Sequence, residues 1–244
     1  APIVGQQIKS RLKAYKEAVQ VAAVQADVVT HSMGGLLVRR LPLLGEAYFR
    51  ADNFQQGDVH KLINIGTPHF GSELAARLRT KVNNFRCRTA FSIANAPIHK
   101  GAIHDLSPGS AGLRELNGFV SPLPLHNNVG IASERQKEVN ASGGLISVVQ
   151  SPFVCGRILP PGGFDAVFRD DNDLLVSAPS QRARLSPTSP AVSTFTPLIH
   201  TRAGGAFDVV DGAAELESEE VSREVINLLN LAVDDAKFIR LSPP

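Results

Sequence analysis

A chain of 244 residues with 43% hydrophobic content is long enough to bury a sizeable core in one domain. Its formal net charge of +2, with no basic run or basic-aromatic cluster, argues against nucleic acid as a partner. No apolar stretch approaches the ~18 residues of a membrane-spanning helix, and the two cysteines, Cys87 and Cys155, have no Cys or His neighbours at metal-ligand spacing, so neither membrane insertion nor a zinc site is expected.

The N-terminus, Ala1-Pro2-Ile3-Val4-Gly5, has neither the basic start nor the apolar centre of a signal peptide. The chain does not open on Met, so the expectation is that a leader has been removed or that the chain is cut from something longer. Gln6 to Val24 reads as a helix, because Ile8, Leu12, Tyr15 and Val19 recur at three- and four-residue spacing.

An apolar run from Ala26 then reaches Thr30-His31-Ser32-Met33-Gly34-Gly35 and passes straight into Leu36-Leu37-Val38-Arg39-Arg40-Leu41. A strand, a tight turn carrying a serine and a helix form a nucleophile elbow. The turn holds the serine in a strained conformation, and Gly34 and Gly35 let strand and helix approach closely. The helix directs its positive end at Ser32, where charge would develop on an attacked carbonyl. The usual pattern is Gly-x-Ser-x-Gly; Thr30 stands at its first position. The plainer alternative is a helix N-terminus capped by Ser32.

Lys61 to Ile65 reads as a buried strand ending at Gly66-Thr67-Pro68, and Ser72 to Leu78 as a short helix. Strand, elbow, helix and strand make a βαβ unit with parallel strands. Residues 79–122 are punctuated by loop signals such as Asn83-Asn84 and Ser107-Pro108-Gly109. Together with 134–169 they are candidates for a lid or cap, with Phe85, Phe91, Ile93, Ile98 and Ile103 as an apolar wall or as ordinary loop packing. Ala111 to Leu116 suggests a short helix, Asn127 to Ile131 a third strand, Ile146 to Gln150 a further strand and Val192 to Ile199 a last one. Ser218 caps a closing helix to Leu231, with Val221, Val225, Ile226, Leu228, Leu229 and Leu231 as its buried stripe. No composition shift marks a second domain, so 1–244 is read as one.

A serine hydroxyl needs a base, and the base needs a group that fixes its tautomer and stabilises its charge. With the elbow, the expected order is Ser, acid, His, both partners following late strands. Asp173 is the preferred acid, because Leu174-Leu175-Val176 follow at once and anchor it; Asp170 and Asp171 are expected to be solvated or a metal-binding face. His200 is the one histidine after that acid. His31 is expected to point away along the turn, and His69 to line the pocket. His60, His99, His104 and His126 have no claim. The backbone N–H of Met33 is the expected first oxyanion donor; the second normally follows an earlier strand, and the segment before Ala26 reads as helix.

Four segments, VVTHSMGGLLVRR, KLINIGTPHFGSELA, DLSPGSAGLREL and NDLLVSAPSQ, give the chain a resemblance to bacterial lipases and esterases of the α/β-hydrolase superfamily, among them triacylglycerol lipases and GPI-inositol-deacylase-like hydrolases. The resemblance implies an α/β fold with a mainly parallel sheet flanked by helices, here without its N-terminal strands, which another segment or chain would complete. It implies nucleophile Ser32, acid Asp173, base His200 and no cofactor. It also places the Gly66–Gly71 loop beside the pocket, with His31, Thr67, His69 and Phe70 as substrate-binding candidates. Related lipases have a glycine after the acid; this chain has Leu174. The expected substrate is an acyl ester or lipid. Acyl transfer, amide or thioester cleavage, and a silent hydrolase-derived binding module are the alternatives. A secreted protein, or part of a larger bacterial one, is the expected setting.

Overall fold

The structure, a computed structural model, describes residues 1–81, 83–87, 89, 100–137, 158–161, 163–201 and 213–243. Helix α1 (Pro2–Val19) precedes strand β1 (Ala26–His31), helix α2 (Met33–Arg39), strand β2 (Val59–Ile65) and helix α3 (Glu73–Arg79). Strands β3 (Leu125–Gly130) and β4 (Val192–Phe195) complete a parallel sheet of order β1-β2-β3-β4.

The burial of each strand follows its place in that sheet. β2 and β3 are central, and nearly every residue in them is buried, as a strand covered on both faces requires. β1 has a strand partner on one side only among the described residues, and its burial alternates. Successive β2 side chains point to opposite faces. Leu62 enters a core with Val38, Leu41 and Tyr48. Ile65 packs with Leu198 and Val221, from the helix Glu219–Asn230, on the other. Lys61 points to that second face, where its ammonium donates to the carbonyls of Leu229 and Leu231 at the helix's carboxyl end.

The expected last strand is two. β4 stops at Phe195, before Thr196-Pro197, since proline cannot donate to a ladder. Leu198–Ile199 (β5) then pairs with Ala213–Ala214 (β6) in a separate two-stranded ladder. Two apolar stripes are narrower than their spacing predicts. In α1, Leu12 is buried while Tyr15 and Val19 face solvent; in Glu219–Asn230, Val221 and Leu228 are buried while Ile226 and Leu229 are exposed. A helix lying on a sheet edge or end is covered on less than the full apolar arc.

Helices Lys100–Leu106 and Ala111–Asn117 lie within the expected lid region. Phe85 is exposed and Ile103 partly buried. Phe91, Ile93, Ile98 and the strand expected at 146–150 lie outside the described residues. Cys87 is disulfide-bonded; Cys155 also lies outside them. Among the described residues no helix is long and apolar enough to cross a membrane.

Candidate active site

Ser32 sits between β1 and α2 with φ 55 and ψ −132, a left-handed conformation that costs a non-glycine residue on the order of 1–3 kcal/mol. The surroundings over-determine it. The Ser32 N–H donates to the Ile65 carbonyl at 2.9 Å. Thr30, in place of the usual glycine, donates its hydroxyl to Asn64 Oδ1 at 2.9 Å and so ties the elbow to β2. The Met33 N–H opens α2 and belongs to the first turn, whose N–H groups have no intrahelical acceptor.

His200 follows β5, and its Nε2 lies 2.8 Å from Ser32 Oγ. Its Nδ1 donates to Asp173 Oδ2 at 2.7 Å. The His200 N–H also donates to the Asp173 carbonyl at 3.0 Å, fixing the two residues to each other through the backbone. Asp173 arrives from a loop after the short helix Asp165–Phe168 rather than directly from a strand. Its carboxyl is held from three further sides: Oδ1 accepts the N–H groups of Leu175 and Val176, and Oδ2 accepts Gln181 Nε2. Leu174, where related lipases have glycine, has φ 78 and is fully buried, its N–H held by Asn172 Oδ1. Asp170 and Asp171 are exposed.

Burial alone pushes the His200 imidazole down. The charge of Asp173 and its hydrogen bond pull the other way, and the net effect holds His200 above its ordinary 6.5. That is the direction a base needs when it must carry a proton within the reaction.

The structure redirects three expectations. His31 does not point away: its ring lies 4.7 Å from that of His200, and its Nε2 donates to the His200 carbonyl at 3.1 Å. Burial holds its imidazole below the ordinary value. His69 does not line a pocket. It is fully buried, its Nδ1 accepting Arg39 Nη1 and its Nε2 donating to Asn127 Oδ1, both at 2.8 Å. Thr67 is buried too, against Gly35. Phe70 remains accessible beneath the Arg184 guanidinium, on a cavity of about 340 Å³ shared with Arg39, Asn117 and Phe119.

Sequence reasoning passed over several residues the site uses. Gln181 closes the segment NDLLVSAPSQ, yet only the fold shows its amide reaching Asp173 and bridging to both the N–H and the carbonyl of Gly130. Asn64 and Asn127 join β2 to β3 beneath the elbow, Asn64 Nδ2 donating to Asn127 Oδ1 at 3.0 Å. Glu215 follows β6 and lies 3.6 Å from His200 Nδ1. Nothing local marks it, since it comes after the histidine in a chain order that seeks the acid before it. His31, His200 and Glu215 bring ligand-type atoms within 4.8 Å of one another. Both ring nitrogens of His200 are already engaged by Asp173 and Ser32, which leaves that imidazole no free lone pair for a metal in this arrangement.

A parallel sheet wrapped by helices, with a serine elbow at the carboxyl end of β1, is the α/β-hydrolase fold. Comparison with solved structures agrees. The chain is similar to phospholipase PlaB from Legionella pneumophila at a TM-score of 0.55 and 12% identity, covering 96% of this chain and 49% of that one. It is also similar to the mature Bacillus licheniformis lipase BlEst2, with a TM-score of 0.48, 17% identity and coverage of 93% and 73%. Lipase 1 from Pelosinus fermentans gives 0.47, 16%, and coverage of 85% and 72%. The fold assignment rests on the first of these together with the strand order. No protein-family model and no curated protein sequence matches the chain.

Proposed function

We propose that this chain is a serine hydrolase that cleaves carboxylic esters through an acyl-enzyme. The observation that carries the reading is the 2.8 Å separation of His200 Nε2 and Ser32 Oγ, on a histidine whose other nitrogen is held by a buried carboxylate. Nε2 takes the Ser32 proton as Oγ attacks the ester carbonyl. Asp173 keeps the imidazole in the Nδ1–H tautomer and offsets its positive charge. The Met33 N–H stabilises the oxyanion. His200 then passes its proton to the leaving alcohol, and later takes one from the water that releases the acid. A positioned base and an oxyanion donor each contribute on the order of 10²–10⁴-fold in such sites.

The substrate class is an acyl ester or lipid. Similarity to a structure that is called a phospholipase favours it, as does the exposed apolar side chain of Met33, next to the serine. Phe70 is a substrate contact in this reading, whereas His69 and Thr67 support the loop from within. The test is turnover of p-nitrophenyl esters of graded chain length. Ser32→Ala abolishes it if the reading is right; a variant that keeps near wild-type turnover removes the assignment.

A further inference from the structure

A second carboxyl lies beside the catalytic candidate set, and the fold is built around it. Ile199 pairs with Ala214 in the β5–β6 ladder, so the next residue on each strand, His200 and Glu215, emerge side by side. Glu215 is about 1% exposed. Its Oε2 lies 3.6 Å from His200 Nδ1 and 3.3 Å from His31 Nε2. Two glycines at the carboxyl ends of adjacent strands make its space. A Cβ on Gly66 would lie 2.0 Å from Glu215 Oε2, and one on Gly130 2.2 Å from Oε1. Gly66 also has φ 57, which other residues adopt only under strain. No other side chain on the described chain meets two glycines at such range in this way.

Asp173 and Glu215 therefore face one imidazole in a buried space. Two negative charges there would repel strongly, and protonation of one of them relieves this. The surroundings decide which carboxyl holds the proton. Asp173 accepts four N–H groups, from Leu175, Val176, Gln181 and His200. Neither Glu215 oxygen accepts a hydrogen bond of good geometry among the described residues. Donors stabilise the ionised form of the group that receives them. The charged groups facing Glu215 are His31, His200 and Asp173.

Resting on the hydrolase reading above, we propose that Glu215 is a positioning residue held as a neutral carboxylic acid against the His31 and His200 rings, which backs the His200 imidazole and keeps it in place between Asp173 and Ser32 for the proton transfer. Burial first, and then the charge of Asp173, push the Glu215 carboxyl well above the ordinary carboxylate range, while His200 pulls it down. A neutral acid 3.6 Å from His200 Nδ1 fills the space beside the imidazole without setting a second negative charge against Asp173.

Two measurements test this. Infrared difference spectroscopy of the whole chain against Glu215→Gln at pH 8 should show a protonated carboxyl C=O stretch in the wild type that the variant lacks. Absence of that band overturns the proposal, whatever the fate of Ser32. In ester turnover, Glu215→Leu should lower kcat by about 10- to 100-fold at unchanged KM, and Glu215→Gln, which keeps the shape and the neutrality of the acid, should recover most of it. Gln also adds no charge change, so the acid limb of the pH profile should keep its midpoint. A downward shift of that limb in Glu215→Gln means Glu215 is ionised and overturns the proposal, as does wild-type kcat in a folded Glu215→Leu. Should Leu fail to fold, the Gln profile and the infrared band still decide. If Ser32→Ala run in parallel retains turnover, the hydrolase reading fails and the positioning role falls with it; if Ser32→Ala is dead and the band is missing, only the Glu215 proposal fails.

Discussion

Gly35 of α2 lies hard against Thr67: a Cβ there would lie 2.3 Å from Thr67 Oγ1, and 2.6 Å from Asn64 Oδ1. Both neighbours are buried and belong to β2 and the loop that follows it, so neither can swing into solvent. Gly35→Ala should push the helix off the strand, costing about 1–3 kcal/mol and displacing Ser32 from His200. Urea unfolding and ester turnover check this together. Thr67→Ala in the same chain should restore part of both losses. An alanine variant with unaltered midpoint and turnover would mean that the elbow tolerates the added methyl group.

The pH profile follows from His200. The base acts only when neutral, and Asp173 holds the imidazole above 6.5. Turnover should therefore rise with pH through a midpoint above 6.5, and be lost as pH falls below it. Asp173→Asn removes both the charge and the tautomer preference. It should lower the midpoint and reduce kcat/KM on the order of 10³–10⁴-fold. A midpoint at or below 6.5 in the unmodified chain would contradict the pairing.

Lys61 is 2% exposed, with its ammonium 2.8 Å from the Leu229 carbonyl, 2.9 Å from that of Leu231 and 3.1 Å from Asp27. It caps the helix Glu219–Asn230 onto β2. Lys61→Met keeps the stem's volume and removes the donors, leaving orphaned carbonyls and a carboxylate behind. A loss of about 2–4 kcal/mol is expected, read as a lower urea midpoint with kcat of the folded fraction unchanged. An unshifted midpoint would show that water replaces the ammonium at no cost.

Acid should destabilise the fold through His69. Burial first, and then the Arg39 guanidinium, hold its imidazole well below 6.5. The unfolded chain takes up that proton near 6.5 and the folded chain does not, so stability falls as pH drops below this value. His69→Gln should be less stable at pH 7, because Arg39 loses a partner, yet lose less of its melting temperature between pH 7 and 5. A variant whose melting temperature declines as steeply as the unmodified chain's would exclude His69 as the source.

The parallel strands and the elbow were legible because they depend on neighbours in sequence. Lys61 to Ile65 is an apolar run between turn signals, and Ser32 sits where another apolar run gives way to a helix-like one. Ser218 caps its helix as expected, its hydroxyl accepting the Val221 N–H, and Ser72 and Ser110 do the same for theirs, again a local property. The apolar stretch behind it singled out Asp173 and chain order singled out His200, and the fold brings the two within 2.7 Å. What escaped depends on contacts across the sheet. Glu215 enters by the β5–β6 pairing, which no spacing predicts. His31 turns toward His200 because a carbonyl 169 positions away accepts its Nε2. His69 reads as a loop histidine, but Arg39 and Asn127, from a helix and a strand, draw it inward. The exposed side of Tyr15 and Ile226 shows the same limit, since apolar spacing gives a face and not what covers it.

Reaction with a fluorophosphonate reports most directly on whether Ser32 is an activated nucleophile, because it needs the base and the serine but no knowledge of the natural ester. Intact-mass and peptide analysis should find a single adduct, on Ser32, formed fastest above the His200 midpoint and lost in Ser32→Ala and His200→Ala. An unlabelled Ser32 in the folded chain, or equal labelling when His200 is replaced, would show that the serine at the end of β1 is not driven by that histidine.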